Sequence, residues 1–372
     1  MMSTRPRHHL GADGDPPSSG GNVSTRLAGR ARRSTLALLT GAALATLLSV
    51  TAAGAAPLAG PADSRAGGAT NAAAVDVYMQ DTPTDVGLQP HSLNPLWQSP
   101  DIKVCPTAVE CPTSQNPIVG QRNYIFVKLR NPGPYGDSVM EEGAIEVYRT
   151  TPGGGAAWPG AWTQIGWMAV PVYPGVTSVT IPWDNVPGPG HFCLLARWVS
   201  PNDPMTFEGP DIGVNTRNNN NIAWRNVDSV ALVAGGLVQT RPFAIGNTLT
   251  RAARSSVVFS QTGAPFQTAG GRLVADLGPN LFERWAKGGK AGKGVREVGR
   301  NQVEIVDIGQ ASLDNLELNP GERIAFSLNF TAAVPTREKI AVNVTQIGPD
   351  TTGAARADLG GVRYDITVDQ RK

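Results

Sequence analysis

Few side chains in the 372-residue sequence are of types that do chemistry, and they gather in a handful of places. Asp76, Asp81, Asp85 and Asp101 stand close together in a stretch rich in Thr, Pro and Gly. Hard cations such as Ca²⁺ take several carboxylate and carbonyl oxygens, so Asp76, Asp81 and Asp85 are candidate metal ligands. The same residues also build Asx-turns and caps, and no twelve-residue calcium loop is present, which favours the turn reading. Calcium is therefore the one cofactor considered, and otherwise none is expected.

Seven of the eight tryptophans (Trp97, Trp158, Trp162, Trp167, Trp183, Trp198, Trp224) fall before residue 230. Trp158 and Trp162 flank Pro159-Gly160-Ala161 behind a glycine-rich loop. Flat exposed rings there would stack on sugar faces and form a binding surface. The rival reading has the loop fold back as a cap, and the high average burial of large aromatics favours it. Trp167 and Trp198 lie inside strand-like runs and are expected in the core.

Arg284, Lys287, Lys290, Lys293, Arg296 and Arg300 alternate with glycines. This is not a phosphate loop, because Gly294 rather than Ser or Thr follows Lys293. A basic hairpin touching an anionic polymer through Lys287, Lys290 and Lys293 competes with a solvated flexible loop, and the second is favoured.

Enzyme signatures are missing: there is no Gly-x-Ser-x-Gly elbow and no His-Glu-x-x-His helix. Beyond residue 55 the only histidines are His91, expected in a solvated loop, and His191, expected as a satisfied core residue. Glu141-Glu142 reads as an exposed turn. No catalytic residue is assigned. An exported hydrolase acting on polysaccharide or protein is the disfavoured alternative, since paired carboxylates are recognised only in three dimensions.

The elements that must position these groups begin with a leader. Arg32 and Arg33 precede an uncharged run of 15 residues, Leu36–Val50, that closes in Ala53-Gly54-Ala55. That layout is a cleaved export signal over residues 1–55, too short to span a bilayer, by the general secretory or the twin-arginine route. No stable membrane anchor is expected. Of 32 basic and 30 acidic side chains, six and two lie in 1–55, so the remainder carries 26 against 28. A near-neutral chain argues against nucleic-acid binding. In an oxidising compartment Cys105 and Cys111, six apart between prolines, are expected to form a disulfide, with Cys193 a buried thiol.

Residues 56–74 read as a flexible linker. From Val75 onward, short alternating runs with Gly/Pro/Asn punctuation indicate an all-β protein of two tandem immunoglobulin-like sandwiches, 75–233 and 240–372. Strands are expected near Val75–Gln80, Tyr124–Arg130, Gly143–Arg149, Thr163–Val170, Ser178–Trp183, Gly190–Val199 and Ile222–Val233. In the second half Ile324, Phe326, Leu328 and Phe330 share a face, as do Val362, Tyr364, Ile366 and Val368.

Over residues 75–230 the motif series is Asp76–Pro83, Asp85-Val86-Gly87, Trp97–Ile102, Gln115-Asn116-Pro117, Gly120–Val127, Gly190–Arg197 and Asn218–Asn221. In that order it resembles a bacterial extracellular immunoglobulin-like module, close to the CARDB-like (cell-adhesion-related) sandwiches. The resemblance implies a non-catalytic adhesion, spacer or presentation role, and it transfers no catalytic residues. The expectation is a secreted bacterial extracellular protein, binding polysaccharide or a cell-envelope polymer or serving as a structural spacer or assembly subunit.

Overall fold

Strand-forming alternation dominates the computed structural model, which describes residues 74–371 and is all-β apart from two short α-helices and one 3₁₀ turn. The leader and most of the linker lie outside those residues. Among the described residues no helix is long and apolar enough to cross a membrane.

The first half holds β1 (Ile102–Cys105), β2 (Asn123–Asn131), β3 (Glu141–Thr150) and β4 (Thr163–Val172). It continues with β5 (Gly175–Trp183), β6 (Cys193–Val199), α1 (Ile212–Asn218) and β7 (Ile222–Arg225). These strands form a three-stranded sheet, β1-β2-β5, and a four-stranded sheet, β4-β3-β6-β7. Ile125, Val127 and Leu129 of β2 and Ile145 and Val147 of β3 point into the space between them and are fully buried. Period-2 burial is what makes each of these runs a strand.

Eleven strands follow. They begin with β8 (Val227–Val233), β9 (Gln239–Gly246), β10 (Ala253–Gly263) and β11 (Arg272–Asp276). After α2 (Gly278–Lys287) come β12 (Gly292–Lys293), β13 (Val295–Gly299), β14 (Gln302–Ile305) and β15 (Ser312–Leu318). The last are β16 (Arg323–Thr331), β17 (Thr336–Pro349) and β18 (Arg356–Asp369). They build a six-stranded sheet, β12-β15-β10-β17-β18-β8, and a five-stranded sheet, β13-β14-β11-β16-β9. Phe243, Phe259, Phe326, Leu328, Phe330 and Tyr364 fill the core shared by these strands.

Two expected strands differ, and the glycine-rich loop ahead of Trp158 is not free. Val75–Gln80 is extended chain whose one β-bridge joins Tyr78 to Arg130, with Met79 N–H donating to Asn220 O at 2.9 Å. The run Ile222–Val233 is two strands: at Asn226 the chain leaves the four-stranded sheet, and β8 pairs parallel with β18. Strand β8 is thus part of the second assembly, although the expected boundary put residues up to 233 in the first. Pro152–Gly155 is no free turn either. Gly153 bridges Ala244, Gly154 N–H donates to Ala244 O at 2.9 Å, and Gly155 N–H donates to Leu359 O at 2.8 Å. Gly153 has φ +132°, and a side chain there would run into the Ala244 backbone. Arg323 completes this seam by donating to Thr151 O at 2.7 Å.

Candidate binding face

In the four-stranded sheet the register fixes which side chains look away from the core. Ile145 opposes Met168 and faces inward, so the next pair, Glu146 and Trp167, faces out, and Glu146 in turn opposes Arg197. Trp167 is 59% exposed. Trp167, Glu146 and Arg197 therefore form one row across three adjacent strands, about 10 Å wide at the usual strand spacing.

Arg197 is the hub of the row. It lies 2.5 Å from Glu146 Oε2 and donates from Nη2 to both Glu208 oxygens at 2.7 Å. Its guanidinium stacks over the Trp158 ring, 4.8 Å from the centroid. Tyr148 donates to Glu146 Oε2 at 2.9 Å and meets the Trp158 ring edge-on at 4.9 Å. Burial, then that bond to a carboxylate, pushes the Tyr148 hydroxyl pKa up to about 12, so the phenol stays a donor. The surface presents two rings, Trp158 half-buried and Trp167 open, with hydrogen-bonding groups between them.

The rest of this outer face is covered. Cys193 and Leu195 of β6 and Ile222 and Trp224 of β7 lie under Leu96, Trp97, Ala156, Trp162 and Ile212, a small second core. Asp211 starts α1 by accepting from Gly213 N–H (2.9 Å) and Val214 N–H (3.1 Å). Trp158 N–H donates to Pro210 O at 2.9 Å, which ties the tryptophan loop to that helix.

The two tryptophans singled out in sequence thus separate. Trp162 is only 8% exposed, edge-on to Trp224 with ring centroids 6.4 Å apart, and cannot present a face to a sugar. Trp158 keeps one flank on the surface. Trp167, expected in the core, is the open ring, because it points off the solvent side of an edge strand. Trp198 is fully buried as expected.

The carboxylates also part company. Asp76 accepts from Tyr135 N–H (2.7 Å) and Asn220 (2.9 Å), apart from the others. Asp85 accepts from Gly87 N–H (2.8 Å) and Asp81 N–H (2.9 Å), and Asp101 pairs with Arg130 at 2.8 Å. Asp81, Asp85 and His91 bring ligand-type atoms within 4.8 Å of one another, a set that replaces the expected Asp76, Asp81 and Asp85. His91 is not a solvated loop residue, since its Nε2 lies 3.0 Å from Asp81 Oδ2. Leu93 N–H donates to His91 Nδ1 at 3.2 Å, which leaves the ring proton on Nε2, facing Asp81. A metal would have to displace that proton, and the donor set offers no free imidazole nitrogen. Desolvation raises the Asp81 pKa to about 7. Asp85 serves the loop as a turn acceptor, while Asp81 is held by His91.

The basic stretch is ordered rather than a loose hairpin. Lys287 pairs with Glu283 on α2 at 2.8 Å, and Lys290 pairs with Glu297 at 2.5 Å. Arg284 binds Glu322, and Arg296 binds Glu304. Lys293 sits on the two-residue strand β12 and makes no ion pair among the described residues. Four of the six bases are thus paired locally, which lowers the net positive charge of the stretch.

Glu141 is buried, not an exposed turn residue, and accepts from Asn202 Nδ2 at 3.2 Å. His191 is half-buried with Nδ1 2.9 Å from Asp228 Oδ1. Cys105 and Cys111 are disulfide-bonded, and Cys193 is a buried free thiol.

No family model matches the chain, and no curated protein matches it either. Among solved structures the chain is similar to a transglutaminase of red sea bream, at 12% identity and TM-score 0.20. That match covers 73% of this chain but only 31% of the transglutaminase. It is also similar to the CupB6 tip adhesin of Pseudomonas aeruginosa, at 9% identity and TM-score 0.18, covering 73% of this chain and 99% of the adhesin. Scores this low carry no functional inference.

Proposed function

We propose that the chain is an exported, non-catalytic binding module of two β-sandwiches, CARDB-like in its first half, that holds a polysaccharide or cell-envelope polymer on the outer face of β4, β3 and β6. The observation that carries this reading is Trp167, a large flat ring left open in mid-strand, in register with Glu146 and Arg197. Sugar C–H faces stack on such rings, while carboxylate and guanidinium groups take the hydroxyls. Because Arg197 sits between Glu146 and Glu208, the row carries little net charge and suits a neutral polymer better than a polyanion.

The test is a pull-down of the purified protein on insoluble polysaccharides and isolated cell envelopes, with Trp167→Ala and Trp158→Ala alongside. Saturable binding that falls at least tenfold in Trp167→Ala supports the reading. Absence of binding to every surface, or binding untouched by both substitutions, overturns it and leaves a spacer or assembly role.

A further inference from the structure

Where the two halves of the fold meet, an open cleft of about 430 Å³ lies against the outer face of the six-stranded sheet. Such junctions are common places for ligand sites. Arg363 and Asp365 of β18 belong to that outer face, because Val362, Tyr364 and Ile366, which alternate with them, fill the core. Prolines of the loops around β1 supply apolar walls, and Arg225, the last residue of β7, lines the cleft from the first half.

Arg225 is a cation without a counterion. Its Nη1 donates to Ser99 O at 2.7 Å, a neutral carbonyl, and among the described residues it makes no ion pair. Asp365, whose charge it feels, is engaged by Arg363 Nε at 2.7 Å. Other half-buried or buried arginines are better supplied. Arg130, Arg197 and Arg241 each meet a carboxylate within 3.1 Å, and Arg323 spends its donors on Gly154 O, Thr150 Oγ1 and Thr151 O. None of the Arg225 nitrogens is sealed from solvent without a partner, so its spare N–H groups remain available in the cleft that it lines. Desolvation lowers its pKa to about 10, a penalty that a bound anion would offset.

We infer that this cleft binds the carboxylate of a sugar acid, with Arg225 taking both oxygens. A guanidinium fork matches a carboxylate bidentately. Two guanidiniums against one carboxylate give the cleft one net positive charge, which suits a monoanion. Thr82, Asn94 and Gln98 add neutral hydroxyl and amide groups for ring hydroxyls; Gln98 Nε2 holds Asn343 Oδ1 at 3.2 Å and keeps its own carbonyl oxygen free. The cleft shares no residue with the Trp167 row, and either reading can hold without the other.

The experiment is a ligand-observed NMR titration of the purified protein with glucuronate, glucose and N-acetylalanine at constant ionic strength. Arg225→Gln and Asp365→Asn are compared with Arg300→Gln, at an exposed position away from the cleft. Circular dichroism and thermal melting confirm that each variant is folded, and the surface change Asp365→Asn keeps the test decisive if Arg225→Gln does not fold. Glucuronate is expected to bind saturably and glucose not. Binding falls at least tenfold in Arg225→Gln, tightens roughly threefold in Asp365→Asn, where a repelling charge is gone, and is unchanged in Arg300→Gln. No saturable glucuronate binding, tighter binding of N-acetylalanine, affinity that ignores Arg225→Gln or fails to rise in Asp365→Asn, or an equal loss in Arg300→Gln overturns the inference.

Discussion

The Arg197 guanidinium lies over the Trp158 ring, 4.8 Å from its centroid, while the same group meets Glu146 at 2.5 Å. One cation thereby fixes the height of a surface ring and the position of a carboxylate on β3, the strand next to the sheet edge. Arg197→Met keeps much of the packing but leaves Glu146 and Glu208 facing each other without a cation. Breaking a largely buried ion pair costs on the order of 3 kcal/mol. Urea denaturation should show that loss, whereas Arg122→Met, which breaks an exposed pair with Asp184, should leave the midpoint in place.

Trp162 and Trp167 make a second pair of opposites. Trp162→Ala empties a place beneath α1 and should destabilise the protein by about 3–5 kcal/mol. Trp167→Ala removes a solvent-facing ring and should leave the denaturation midpoint nearly unchanged while weakening polymer retention. Stability and pull-down measured on both variants check the expectation. Loss of retention in Trp162→Ala alone, with the protein still folded, would contradict it.

Asp81 sets a pH dependence whose sign follows from its burial. Its pKa is raised in the folded protein from 3.8 to about 7, so the folded state holds a proton that the unfolded chain releases earlier. The stabilisation from this group is fully present below 3.8 and fades as pH climbs through about 7. Asp81→Asn should flatten the stability profile across that window by an amount on the order of a few kcal/mol. Urea midpoints of both proteins along a pH series give the comparison, and parallel profiles would show that Asp81 does not titrate there.

The sulfur atoms have separable behaviour. Cys193 is fully buried, and desolvation pushes its thiol pKa up to about 12, so it should resist thiol reagents until the protein unfolds. Native protein should therefore titrate no free thiol and denatured protein one. Removing the Cys105–Cys111 link by double substitution to Ala opens a short loop and should cost about 2 kcal/mol by loop entropy, without disturbing the sheets.

Much of the fold is legible in the sequence wherever a strand has one covered face. The spacing of Ile125, Val127 and Leu129 marks β2, and Ile324, Phe326, Leu328 and Phe330 mark β16, because burial enforces period 2. Periodicity tells which residues share a face but not which face is covered. That is why Trp167 reads as core: it alternates correctly, on the side of the sheet that nothing overlays. The break at Asn226 is hidden for a similar reason. Apolar residues continue on both sides of it, while Asn226 itself donates to Gly361 O and its N–H reaches Trp97 O at 2.8 Å, turning the chain into another sheet. The Asp81–His91 pair has no local signal, since it depends on a loop closing on itself.

The parallel pairing of β8 with β18 bears on the order in which the molecule can be finished. β8 emerges from the ribosome well over a hundred residues before its only ladder partner, with Arg363 aligned on Val227 and Asp369 on Val233. Until β18 arrives, β8 has no strand to join, and β17 lacks the neighbour that separates it from β8. A chain halted before Arg356 would leave β8 with no ladder and one edge of β17 unpaired.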